Sequence, residues 1–295
     1  MRRLRTACAV VALAVLALAA CTDAPPEPIE VTVTGDAGVA PTLTYVAPLA
    51  VDKTQRETIW DGTGPVLEAD QPVLIDYWLE NATDATLVRE SYSTNPSSQF
   101  LTPQDLGEDL YHTLVGQHVG ARLLQISPPS SDESATDYPT VTVIDVLPTR
   151  ASGDPVDVTR TDLPTVTRDD DGRPSLTPAT GDAPTELVTQ PLLRGTGRQV
   201  AAKDTITVQY TGWAWDGVEF DSTWGQRIPV SLSLLDVPTW ADALVDQTTG
   251  SQVMVVVPPS YPLGVTQSEE LAGQTVVFVV DILDSRAPLG STGDG

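Results

Sequence analysis

The sequence predicts an α+β protein made of two similar units, each an antiparallel sheet wrapped over one short helix. Three observations carry that expectation. Apolar residues recur in short alternating runs bounded by turn residues, as where Ile206, Val208 and Tyr210 alternate with Thr207 and Gln209. One short helical stretch interrupts these runs in each half, Pro103 to Val115 and Thr239 to Asp246. The second half also repeats the first. At an offset of 133 residues, Pro41-Thr42-Leu43-Thr44 matches Pro174-Ser175-Leu176-Thr177, Gly62-Thr63-Gly64 matches Gly195-Thr196-Gly197, and Tyr77 matches Tyr210. Pro128-Pro129-Ser130 matches Pro258-Pro259-Ser260 at an offset of 130, and Val143 to Leu147 matches Val279 to Leu283 at 136. So long a period indicates duplicated globular domains rather than a solenoid, and about 110 residues per copy suffices for one core.

The chain opens with Arg2, Arg3 and Arg5, an apolar run from Ala7 to Ala20, and then Cys21. A basic start, a short apolar run and small residues before a cut describe an export signal over residues 1–20, and the run is too short to span a bilayer. Leu18-Ala19-Ala20-Cys21 is similar to a bacterial lipobox, which implies diacylation of Cys21, attachment to the membrane and an extracytoplasmic location. Residues 21–30 are acidic and proline-containing, as expected of a tether. The first copy is expected over 31–148 and a turn-rich linker over 149–161. The second copy follows over 162–286 and a frayed tail over 287–295. Asp169-Asp170-Asp171-Gly172 reads as a turn, lacking the alternating ligands and distal Glu of a calcium loop. In the second copy, strands are expected over Ile206 to Tyr210, Val218 to Ser222, Ile228 to Leu234, Gln252 to Val257 and Thr275 to Leu283. Asp216-Gly217 predicts a two-residue hairpin with both central residues at positive φ.

Composition excludes several kinds of chemistry. With 40 Asp and Glu against 16 Lys and Arg, the formal charge is -24, which argues against nucleic acid as a partner. Cys8 and Cys21 are the only cysteines, so the mature chain has no disulfide, thiol nucleophile or cysteine metal site. His112 and His118 have no ligand cluster beside them, the Gly-Thr-Gly pairs lack the end of a phosphate loop, and no Ser stands in a G-x-S-x-G setting. No cofactor or metal is expected.

What remains is an ordered set of motifs: Tyr210-Thr211-Gly212, Asp216-Gly217, Phe220-Asp221-Ser222, Pro229, Trp240-Ala241-Asp242-Ala243-Leu244, Pro258-Pro259-Ser260-Tyr261 and Thr275-Val276-Val277-Phe278. Their order and spacing, over roughly Leu187 to Asp284, resemble the FKBP family of peptidyl-prolyl cis-trans isomerases. The resemblance implies that Trp240 floors a prolyl pocket walled by Tyr210, Phe220 and Phe278. Val230, Leu232 and Val237 would complete its lining, Asp221 would stand on the rim, and Tyr261 would be a pocket neighbour or a loop anchor. It also implies proline-containing polypeptides, and macrolide inhibitors, as ligands. Three positions depart from the family pattern. Asp236-Val237-Pro238 replaces the Val-Ile pair before the helix, Gln226 stands where a basic residue often steadies the rim Asp, and Leu263 replaces a second loop Tyr. These departures leave open a proline-peptide-binding chaperone or adaptor without turnover. The first copy departs further, with Val88-Arg89 for Phe220-Asp221, Leu110 for Trp240 and Thr142 for Phe278. It is expected to be inactive.

Overall fold

The computed structural model describes residues 29–130, 137–225, 227–262, 271 and 273–288. The expected signal, Cys21, Gln226, Leu263, and most of the tether and of the tail lie outside these residues. The chain runs β1 (Thr32–Thr34), β2 (Thr42–Thr44), β3 (Gln55–Trp60), β4 (Pro72–Asn81), β5 (Thr86–Glu90) and β6 (Ser97–Phe100). Next come α1 (Pro103–Leu106), α2 (Glu108–Leu114), β7 (Arg122–Ser127), β8 (Thr140–Leu147), β9 (Asp154–Pro155), β10 (Thr165–Arg168) and β11 (Pro174–Thr177). It closes with β12 (Val188–Arg194), β13 (Thr205–Ala214), β14 (Glu219–Ser222), β15 (Val230–Ser233), α3 (Pro238–Leu244), β16 (Gln252–Val257) and β17 (Val276–Arg286).

Two antiparallel sheets dominate, and they share one topology. The first has the order β3-β7-β8-β4-β5 with β6 also on β4; the second has β14-β13-β17-β16-β12-β9 with β15 also on β13. Each half also carries a small hairpin, β1 with β2 and β10 with β11. Their registers repeat, since Val33 faces Leu43 as Val166 faces Leu176, 133 residues on.

The helices lie on one face of each sheet because their apolar residues form a single stripe. Trp240, Ala243 and Leu244 of α3 pack with Ile206, Val208 and Tyr210 of β13 and Phe278, Val280 and Ile282 of β17. In the first half Leu110 and Leu114 of α2 pack with Val73, Ile75, Leu123 and Ile144. Each such aliphatic or aromatic side chain, once buried, contributes about 1.5–3 kcal/mol. The opposite face of the second sheet is covered as well. Trp213, Met254, Val256, Val277 and Val279 pack there with Leu163, Leu192, and Val166 and Leu176 of the β10–β11 hairpin. With both faces covered, β13 is buried from Ile206 to Ala214, so its alternation of apolar and polar residues marks two environments rather than core and solvent.

Three local expectations differ from the structure. The stretch from Pro103 to Val115 is two helices, broken at Gly107, whose φ of 75 places it in the left-handed region. The Asp216-Gly217 turn has three loop residues, because Gly217 N donates to Ala214 O at 2.9 Å and Ala214 N to Val218 O at 2.9 Å. Gly217 is its positive-φ residue, at 92, and Asp216 instead accepts from Val218 N through its side chain. Finally, within 149–161, β9 pairs Pro155 with Leu193 and Asp154 with Arg194. Proline suits that position because an edge strand leaves one side without ladder bonds.

The backs of the two sheets carry different polar centres at matching positions. In the first, Arg122 is fully buried, bonds Asp145 at 2.5 and 2.6 Å, and donates to the carbonyls of Gly35, Asp36 and Val39 in the β1–β2 turn. In the second, Gln252 and Asp281 occupy these places, with Gln252 Nε2 donating to Asp281 Oδ1 at 2.7 Å and Ala151 N to Oδ2 at 2.7 Å. The two sheets are joined through Arg286 at the end of β17, which bonds Asp76 Oδ2 of β4 at 2.6 Å and the carbonyl of Ser91.

Burial pushes the Asp281 carboxyl up to about 6, with the Ala151 and Gln252 donors and Arg168 opposing the shift. A folded value above the unfolded one of about 3.9 means that the native state holds the proton more tightly. The resulting stabilisation is complete below about pH 4 and is lost as pH rises through about 6. Relative to Asp281→Asn, the natural chain should therefore lose about 3 kcal/mol of unfolding free energy as pH rises from well below 4 to well above 6. Denaturant unfolding of both chains across this range measures it.

Candidate ligand cleft of the second sheet

The cleft is built on β13, where residues two apart share a face. Tyr210 therefore projects towards α3, with Val208 on one side and Gly212 on the other. Gly212 pairs with Phe278 of β17 and with Asp221 of β14. A side chain at 212 has no room: an added Cβ would lie 2.7 Å from Phe220 Cζ and 2.9 Å from Phe278 Cε1. The missing side chain is what lets two phenyl rings meet over the strand.

Four rings then pack edge to face. Phe220 and Phe278 have centroids 5.7 Å apart at 87°, Trp240 and Phe278 5.5 Å at 72°, Tyr210 and Trp240 5.2 Å at 85°, and Tyr210 and Phe278 6.1 Å at 67°. Such pairs contribute about 0.5–1.5 kcal/mol beyond their burial, because the positive edge of one ring meets the negative face of the next. Phe278 and Trp240 are 0% and 2% exposed and lie at the bottom of the cluster, while Phe220, Leu232 and Tyr261 are partly buried at its outer side.

Val237 is buried at the start of α3, where its carbonyl accepts from the nitrogens of Trp240 and Ala241 at 2.9 and 3.0 Å. Pro238 follows it in the first helical turn, where its lack of an N–H costs nothing. The loop bearing Tyr261 is tied to the helix through Thr239, whose hydroxyl donates to the Pro262 carbonyl. Val230 stands at the edge of the cleft, 36% exposed, and is not part of the buried cluster. Leu263 is outside the described residues.

One polar group enters this apolar surround. Tyr210 Oη donates to Asp221 Oδ2 at 2.5 Å. Burial and then this carboxylate push the phenol well above its ordinary range, so Tyr210 is a donor at any physiological pH. Asp221 also accepts from Arg227 Nη1 at 2.9 Å and from Ser222 N at 2.9 Å. The motif spacing puts Gln226 at the basic position, whereas the structure pairs Asp221 with Arg227. The cation is supplied one residue later, and it was visible in the sequence as the nearest arginine after Asp221. A second unanticipated pair fixes Tyr210 itself: its N–H donates to Thr223 Oγ1 at 2.8 Å, and Thr223 N donates to its carbonyl at 2.9 Å.

The family model for FKBP-type peptidyl-prolyl cis-trans isomerase matches residues 196–283. The FKBP-type peptidyl-prolyl cis-trans isomerase FkpA of Buchnera aphidicola (subsp. Acyrthosiphon pisum) is 35% identical over 97 residues, which are 32% of this chain and 40% of that protein. FkpA of Escherichia coli K12 is 33% identical over 104 residues, or 35% of this chain and 38% of that protein. The probable FK506-binding protein of Corynebacterium glutamicum is 28% identical over 117 residues, 38% of this chain and 98% of that protein. The chain thus spans about two fifths of the length of the FkpA relatives and nearly all of the corynebacterial one. The crystal structure of FkpA from Escherichia coli is 28% identical, covers 41% of this chain and 51% of its own, and has a TM-score of 0.32.

Gly212→Ala tests the geometry. The added methyl should push Phe220 and Phe278 apart, with a stability cost of about 1–3 kcal/mol. A thermal melt of the full chain measures it.

Proposed function

We propose that this chain, whose residues 196–283 form a domain of the FKBP-type peptidyl-prolyl cis-trans isomerase family, turns X-Pro bonds between cis and trans in the cleft of its second sheet. The observation that carries the proposal is the four-ring cluster, buried at Phe278 and Trp240 and partly exposed at Phe220, with Tyr261 packed beside it.

Rotation about an X-Pro bond faces a barrier of roughly 20 kcal/mol, because resonance gives the C–N bond double-bond character. The planar amide is more charge-separated than the twisted one, so water stabilises the ground state and raises the barrier. A site that strips water from the amide removes that preference, and a surface shaped to the twisted form binds it more tightly. The indole of Trp240, with Phe278 behind it, offers the apolar seat for the prolyl ring. Tyr210 and Phe220 bound it, and Leu232 and Val237 extend the apolar lining. Asp221 is held beside the rings by Tyr210 and Arg227, and in this reading it is the polar group on the rim, close to the carbonyl of the twisting bond. No bond is made or broken, so the chemistry asks for no nucleophile.

The first sheet has Val88, Leu110 and Thr142 where Phe220, Trp240 and Phe278 stand, and it does not take part in this reaction. On this proposal the two domains occupy 31–148 and 162–286, with 149–161 between them. The basic start, short apolar run and Leu-Ala-Ala-Cys of the sequence support export and a lipid at Cys21. A diacylated cysteine would hold the chain at the outer face of the cytoplasmic membrane. There, slow prolyl isomerisation delays the folding of exported chains, which are the proposed substrates.

With the full chain and a short X-Pro peptide, Trp240→Leu should lower kcat/KM by at least about tenfold, whereas Leu110→Ala should leave it unchanged. A protease-coupled isomerisation assay measures both. Equal activity of Trp240→Leu and the natural chain would contradict the assignment of the cleft.

A further inference from the structure

The first sheet has its own cavity at the matching place, about 380 Å³ in volume and lined by Tyr77, Leu110, Ile144, Gln125, Thr142 and Arg89 among others. We propose that it is a second binding site, for a carboxylate carried on an aliphatic group. It does not depend on the isomerase activity proposed for the other cleft.

Strand register carries the inference. Arg89 of β5 faces Leu79 of β4, as Asp221 of β14 faces Gly212 of β13. The anchoring contacts also coincide, since Tyr77 N donates to Ser91 Oγ as Tyr210 N donates to Thr223 Oγ1. Tyr77 and Arg89 are therefore the counterparts of Tyr210 and Asp221, with the charge of the second residue reversed. In the second sheet the phenol donor and the carboxylate acceptor satisfy each other. In the first, both groups are donors, and neither the Tyr77 hydroxyl nor the Arg89 guanidinium has a protein partner among the described residues. Asp105 also lines the cavity, but it accepts from the Thr102 hydroxyl and makes no ion pair with Arg89.

Arg89 is exposed and Tyr77 half-buried, so an acceptor with negative charge entering the cavity could pair with both donors, and a guanidinium binds a carboxylate through two parallel hydrogen bonds. Behind them, Leu110 and Ile144 offer an apolar floor to an aliphatic stem. Thr142 replaces Phe278 and Leu110 replaces Trp240, so the rings that would seat a proline are gone. The pocket has changed its ligand class while keeping its frame. An acidic side chain beside a leucine-like one, or a free aliphatic acid, has the required chemistry.

The test titrates the full chain calorimetrically with acetyl-Leu-Glu-amide, with acetyl-Leu-Gln-amide and with hexanoate. The glutamate peptide should bind about tenfold or more tightly than the glutamine one, and less so as salt is raised. Arg89→Gln should abolish this preference and Tyr77→Phe should reduce it, while Trp240→Leu keeps it. Hexanoate binding as well as the glutamate peptide would point to a free acid as the ligand, and selective peptide binding to an acidic polypeptide segment; either supports the site. Equal binding of the two peptides, no binding of any probe, or a preference that survives Arg89→Gln would overturn it.

Discussion

The second cleft depends on an absence. Gly212 contributes no side chain, and the edges of Phe220 and Phe278 meet in the space that one would fill. Phe278 so placed faces Trp240, and Trp240 faces Tyr210, each at a steep interplanar angle. Tyr210 in turn has its hydroxyl turned to Asp221, which Arg227 holds from outside. A steric constraint on one strand thus propagates into the floor, the walls and the polar rim. Because interiors are close-packed, a shift at the first contact would be felt at the last.

The first sheet shows what the same frame does without that constraint. Leu79 stands where Gly212 does, Thr142 where Phe278 does, and Leu110 where Trp240 does, so no ring cluster forms among the described residues and a cavity lined by Arg89 and Asp105 remains. The backs of the sheets diverge in parallel. The first buries a guanidinium with its carboxylate and uses them to seat a turn, whereas the second buries a carboxylate against an amide and the backbone of residue 151. Strand order and register are common to both, and the side chains at matching positions are not. Arg286 then ties one half to the other through Asp76.

Much of this was legible in the chain. The repeats at Tyr77 and Tyr210, and at Val143 and Val279, showed two copies of one unit, because residues two apart in a strand share a face and matching runs bury it alike. The ring cluster was legible from the order of its motifs. Features that depend on pairing across long distances were not. The hold of Arg227 on Asp221 depends on the loop between β14 and β15, which motif spacing aligned one residue early. The pairing of β9 depends on the edge of β12 being open, and residues 149–161 read as turn formers whether they pair or not. The break at Gly107 had a plain signal in the glycine itself, outweighed by the apolar spacing around it.

In the proposed reaction the prolyl ring of the ligand lies against the indole of residue 240. Magnetisation transfer between a bound X-Pro peptide and the assigned aromatic protons of the full chain measures this directly. Contacts from the prolyl ring to Trp240, Phe278 and Tyr210 are the predicted result. Contacts to Tyr77 or to none of these rings would contradict it.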